Sequence, residues 1–116
     1  MKRILIVDDV TVNRYILKKY ILRISDTYVI DEAINGEICL QMHKSCPYDI
    51  IFMDIKMPGM SGIECTKYIR EKDKKVKIYG ITGQVERDIV RDAIHNGMDM
   101  CIGKPLDIKS IRNIIQ

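Results

Sequence analysis

Short runs of aliphatic residues alternate with stretches of helical periodicity along the whole chain. Ile4-Leu5-Ile6-Val7 is a continuous apolar run of strand length, the pattern of a strand buried on both faces. From Thr11 to Ile24, the residues Val12, Ile16, Tyr20 and Ile24 recur at helical spacing, and Thr11 is placed to cap the helix. Tyr28-Val29-Ile30 predicts a second strand. Asn35-Gly36 marks a turn, and Ile38, Leu40 and Met42 lie in a second helix ending near Cys46-Pro47. Asp49 to Asp54 predicts a third strand around Ile50-Ile51-Phe52-Met53. Pro58 and two glycines make Met57 to Gly62 a loop, and a third helix follows with Ile63, Thr66 and Ile69. Val76 to Ile81 predicts a fourth strand. Gln84 to about Asn96 predicts a fourth helix, with Gly97 placed to stop it. Met100-Cys101-Ile102 is a short fifth strand. Asp107 to Ile115 is the last helix, with Ile108, Ile111 and Ile115 three and four apart.

Five βα units in succession predict an α/β fold, a parallel sheet covered by helices on both faces with right-handed crossovers. At 116 residues the chain fits one domain, residues 1–116, large enough to bury a core without disulfides or a structural metal. The net charge of +3 is too mild to point to nucleic acid by itself. The basic run Lys67, Arg70, Lys72, Lys74, Lys75 and Lys77 has no aromatic interleaving and reads as a solvated face. Cys39, Cys46, Cys65 and Cys101 form no CxxC pair and no zinc spacing, which suits reduced thiols. His43 and His95 stand alone on helices and receive no chemical role. No apolar run approaches the roughly 20 residues of a membrane helix, and the expected location is cytoplasmic.

Ligands of open parallel sheets bind at the carboxyl ends of the strands. The polar residues fall there. Asp8-Asp9 follows the first strand, Asp54 ends the third, Thr82 follows the fourth, and Lys104-Pro105 follows the fifth. Three carboxylates at one sheet edge repel one another unless a cation or proton neutralises them. Mg²⁺ suits such a site, because it uses one or two carboxylates together with waters and phosphate oxygens. Lys104 adds a positive charge for Asp54 or for an anion on it, and Thr82 offers a hydroxyl. The set is suited to phosphoryl transfer onto a carboxylate, with Asp54 as the nucleophile.

Ile6-Val7-Asp8-Asp9, Asp54 through Gly62, Ile81-Thr82-Gly83 and Gly103-Lys104-Pro105 occur in this order. Over essentially its whole length the chain resembles the receiver domain of response regulators. The resemblance implies a flavodoxin-like sheet of strand order 2-1-3-4-5. It implies that Asp54 is phosphorylated and that Asp8 and Asp9 bind Mg²⁺. Lys56 would complete the metal site through its backbone carbonyl, Thr82 would be the switch hydroxyl, and Lys104 would contact the phosphoryl group. The Lys104-Pro105 bond is often cis in this family. The donor would be a phosphohistidine on a histidine kinase or a histidine phosphotransfer protein. No direct nucleic-acid or membrane contact is implied, and the chain would be a monomer or weak dimer. It would promote only its own phosphorylation and dephosphorylation.

Two positions depart from the family's usual pattern: Cys101 stands where an aromatic switch residue is common, and Gly83 where Ala or Ser is frequent. The side chain of Lys56, two residues after Asp54, would either hang over the site or stand in solvent, the solvated side chain being the expectation. Asn13-Arg14 and Cys101 resemble receivers of hybrid histidine kinases and phosphorelays. An alternative is a Mg²⁺-dependent phosphatase or phosphotransferase with an Asp nucleophile. That class needs a second Asp two residues after the first, and Val10 occupies the place. A further alternative is an N-terminal fragment of a DNA-binding response regulator.

Overall fold

The computed structural model describes residues 2–116, so Met1 lies outside the described residues. Five strands and five helices alternate: β1 (Arg3–Val7), α1 (Thr11–Ile24), β2 (Val29–Ala33), α2 (Gly36–Ser45), β3 (Ile50–Asp54), α3 (Gly62–Lys72), β4 (Lys77–Thr82), α4 (Arg87–His95), β5 (Met100–Gly103) and α5 (Ile108–Ile115). All pairings are parallel, in the order β2-β1-β3-β4-β5. This is the flavodoxin-like order, with β1 and β3 adjacent at the centre.

Side chains alternate across the central strands, so each strand supplies both layers of core. Ile4, Ile6, Ile50 and Phe52 face one layer, where Leu17 and Ile21 of α1 meet Ile111 and Ile115 of α5. Leu5, Val7, Ile51 and Met53 face the other, against Cys39 of α2, Cys65 and Ile69 of α3 and Ala93 of α4. The continuous apolar runs of β1 and β3 therefore reflect burial on both faces. Among the described residues, no helix is long and apolar enough to cross a membrane.

Four local readings of the sequence need correction. β2 extends through Asp31 and Glu32 to Ala33, beyond its apolar run. It is an edge strand, and its acids find partners: Asp31 meets Arg3 and the Tyr48 hydroxyl, and Glu32 meets Arg14 and Lys18. Thr11 does not cap α1. Val10 occupies the N-cap without a side-chain bond, and Asp8 Oδ1 accepts the Val10 N–H at 2.9 Å instead. The buried stripe of α1 is Leu17 and Ile21, whereas Val12 and Ile16 are exposed. The helix is apolar on two sides, so periodicity alone did not separate the buried side from the free one. Finally, α4 begins at Arg87 and not at Gln84, because a side-chain turn at Thr82 holds residue 84 out of the helix.

Candidate functional site

The carboxyl ends of β1, β3, β4 and β5 meet at one edge, as the strand order requires. Asp54 is the last residue of β3, paired with Ile81 of β4, and is 4% exposed. Its place is fixed from behind by α3. Gly62 N–H donates to the Ile55 carbonyl at 2.9 Å, and a Cβ on Gly62 would collide with the Asp54 carbonyl. Ser61 caps α3 by accepting the Glu64 N–H. The loop after β3 thus ends in a helix start pressed directly against the strand that carries Asp54.

Asp8 continues β1 as its N–H donates to the Ala33 carbonyl, and Arg14 Nη1 donates to the Asp8 carbonyl at 2.8 Å. Arg14 also donates from Nε to Glu32. It therefore ties α1 and β2 to the backbone of the acidic pair, a positioning role that its sequence neighbourhood did not disclose. Asp8 and Asp54 are buried and Asp9 is exposed; one carboxylate oxygen from each lies within 4.8 Å of the others.

Lys104 reaches into this group from the end of β5. Its Nζ lies 3.3 Å from Asp54 Oδ1 and 3.8 Å from Asp8 Oδ2. Lys104 N–H donates to the Thr82 carbonyl at 2.8 Å, and the Lys104-Pro105 bond is cis. One ammonium does not offset three carboxylates. The Asp54 carboxyl is pushed from its ordinary 3.8 up to about 6, chiefly by burial and next by the charge of Asp8; Lys104 pulls the other way, and Asp9 adds a smaller push upward. Three hard oxygen donors crowded together, two of them buried and one exposed, have the chemistry of a divalent-cation site, so Asp8, Asp9 and Asp54 could hold a metal ion.

Thr82 and Lys56 sit at the rim, yet both are engaged elsewhere. Thr82 is 2% exposed; its hydroxyl donates to the Gln84 carbonyl at 3.1 Å and accepts the Gln84 N–H at 3.0 Å. Lys56 Nζ donates to Gln84 Oε1 at 2.7 Å. The sequence reading brought Asp8, Asp9, Asp54, Thr82 and Lys104 to one edge, and all five lie there; Lys56, which entered through the family resemblance, follows Asp54 by two residues. It did not single out Gln84.

The sequence profile of the response regulator receiver domain matches residues 4–116. The chain belongs to the response regulator receiver family. Among similar proteins, the receiver is 38% identical over 104 residues to the chemotaxis protein CheY of Thermotoga maritima, covering 90% of this chain and 86% of that one. It is 32% identical over 109 residues to the sensor protein EvgS of Escherichia coli K12; that match covers 94% of this chain but only 9% of EvgS. In structure it superposes on a chain of the CheX-CheY-BeF3-Mg+2 complex from Borrelia burgdorferi with a TM-score of 0.88 at 30% identity, covering 97% and 84% of the two chains.

Away from the acids, three features of this receiver differ from the sequence reading or extend it. Cys101 is partly buried against the core layer under α4, and burial raises its thiol pKa. Met98 and Cys101 leave no room for a Cβ at Gly80. Arg70, read as part of a solvated basic face, is a clamp. It donates to the Gly97 carbonyl, the Asp73 carbonyl and Asp99 Oδ2, joining α3 to the turn after α4. His43 Nδ1 accepts the Tyr48 N–H, which leaves Nε2 to donate to Asp73 at 2.9 Å. This bridge lies between α2 and the end of α3.

Proposed function

We propose that residues 1–116 form a single receiver domain that takes a phosphoryl group from a phosphohistidine partner onto Asp54, in a Mg²⁺-dependent reaction, and changes conformation in response. The observation that carries this reading is the Asp54 carboxylate at the end of β3, beside Asp8 and Asp9 and 3.3 Å from the Lys104 ammonium. An Asp54 oxygen attacks phosphorus as the bond to the donor's imidazole nitrogen breaks, and the electron pair of that bond leaves with the nitrogen. Asp8, Asp9, Asp54 and the Lys56 carbonyl would hold Mg²⁺, which would supply positive charge for the transferring oxygens. Lys104, already paired with Asp54, shifts its contact to a phosphoryl oxygen. Thr82 turns its hydroxyl toward the same group. Among relatives, a CheX-CheY-BeF3-Mg+2 complex at 30% identity supports the choice of Mg²⁺ for the present chain.

The donor is a histidine kinase or a histidine phosphotransfer protein, and the likeness to the sensor EvgS favours the hybrid-kinase type of receiver. An apolar surface beside the acids suits such a partner. Val10, Val12, Tyr15 and Ile16 are exposed on α1 and the loop before it. A groove of about 460 Å³ runs from there past Tyr20 and Leu106 to Asp8 and Lys104. The reading makes the chain a cytoplasmic signalling module, a monomer or weak dimer, and not an enzyme with a separate substrate. It includes no direct nucleic-acid or membrane contact.

The test is incubation with acetyl phosphate and Mg²⁺, followed by intact mass. The expected product carries one phosphoryl group, and chelation of the metal or the Asp54→Asn substitution abolishes it. Equal uptake by Asp54→Asn would refute the assignment of the nucleophile.

A further inference from the structure

Two donors that neighbour the acidic set, the Thr82 hydroxyl and the Lys56 ammonium, are both held by one residue outside it. The Thr82 hydroxyl has a single proton, and that proton goes to the Gln84 carbonyl at 3.1 Å. Its oxygen accepts the Gln84 N–H at 3.0 Å. The Lys56 ammonium, anchored two residues after Asp54, reaches away from the acids to Gln84 Oε1 at 2.7 Å, a charge-assisted hydrogen bond. Gln84 thus satisfies the hydroxyl through its backbone and the cation through its side chain. It is exposed, lies in the loop between β4 and α4, and is joined to the loop after β3 by its bond to Lys56.

We propose that Gln84 is a positioning residue that latches Lys56 and Thr82 off the phosphoryl site in the unphosphorylated receiver. The inference rests on the phosphoacceptor reading of Asp54. An anion on Asp54 attracts the Lys56 ammonium. Moving it there breaks the bond to Gln84 Oε1 and frees the β4–α4 loop from the β3–α3 loop. Release of that loop loosens the turn that pins the Thr82 hydroxyl, so both donors swing to the anion together. The Lys56–Gln84 bond, held in the unphosphorylated state and broken on the way to the anion, sets the threshold for the change.

The side-chain half of the latch can be removed alone, because Gln84→Ala keeps the backbone contacts to Thr82. An NMR titration with beryllofluoride in the presence of Mg²⁺ compares wild type, Gln84→Ala, Lys56→Ala and the double variant. Gln84→Ala is expected to tighten apparent binding about two- to fivefold, the scale of one exposed charged contact. In the Lys56→Ala background the same substitution is expected to change nothing, since its effect passes through the ammonium. In the metal-free, unphosphorylated protein, Lys56→Ala is expected to shift the Gln84 side-chain amide signals. Unchanged or weaker binding by Gln84→Ala, an equal gain without Lys56, or an unmoved Gln84 amide would each overturn the latch. Wild-type binding of beryllofluoride would still leave the phosphoacceptor reading standing in those cases. Failure of wild type to bind it at all would overturn both.

Discussion

At the scale of single residues, the acids and the lysine were legible because each interrupts or ends an apolar run. Asp54 closes Ile50-Ile51-Phe52-Met53, Asp8-Asp9 closes Ile4-Leu5-Ile6-Val7, and Lys104 follows the last strand. Gln84 and Arg14 were not legible, since their meaning lies in partners distant in sequence: Lys56 for one, Glu32 and the Asp8 carbonyl for the other. The balance of charge at Asp54 gives a testable sign. Its carboxyl sits at about 6 in the folded, metal-free protein against an ordinary 3.8. The folded state therefore holds this proton more tightly than the unfolded chain. Stability from the protonated group is fully present below about pH 4 and is lost as pH rises through about 6. Asp54→Asn should stabilise the metal-free protein at neutral pH by about 1–3 kcal/mol. That gain should shrink toward zero near pH 4, and Mg²⁺ should narrow it by restoring charge balance to the wild type. Chemical denaturation across this pH range checks it; a gain that did not vary with pH would contradict the proposed burial of charge.

At the scale of elements, the regular strands and helices were readable where burial imposed a pattern and unreadable where a local polar bond intervened. β2 ran past its apolar residues because an edge strand can carry Asp31 and Glu32 when Arg3, Arg14 and Lys18 meet them. α4 started late because the Thr82 hydroxyl took the Gln84 N–H. α1 offered two apolar stripes, and only packing against α5 chose Leu17 and Ile21. The start of α3 has the largest consequence for the site. Gly62 packs so closely on the Asp54 carbonyl that any side chain there must displace helix or strand. Gly62→Ala should destabilise the fold by about 2–4 kcal/mol, at the upper end of ordinary overpacking. It should also weaken Mg²⁺ binding in the fraction that remains folded, because the end of β3 moves. Thermal unfolding together with Mg²⁺ titration measures both. A neutral effect on both would mean that α3 does not position Asp54.

At the scale of the whole molecule, the strand order gathers chemistry from four places distant in sequence to one edge. Among the described residues, the opposite edge carries bonds such as Arg3 to Asp49 and the His43 bridge. The exposed apolar side of α1 borders the acidic edge, so a partner can cover that helix and present a donor to Asp54 in one docking. Arg70 ties α3 to the turn after α4, and the two core layers pack both faces of the sheet. The β4–α4 loop is where Gln84 meets both Lys56 and Thr82. The fold class was legible from the alternation of strands and helices alone. The bond between Lys56 and Gln84 was not, because it joins two exposed side chains distant in sequence. The central claim is that the phosphoryl group resides on Asp54, and borohydride trapping tests it most directly. After reaction with acetyl phosphate and Mg²⁺, reduction converts an aspartyl phosphate to homoserine, and peptide mapping locates the change. The account predicts homoserine at position 54 and at no other acid; homoserine at Asp8 or Asp9, or none in a phosphorylated sample, would contradict it.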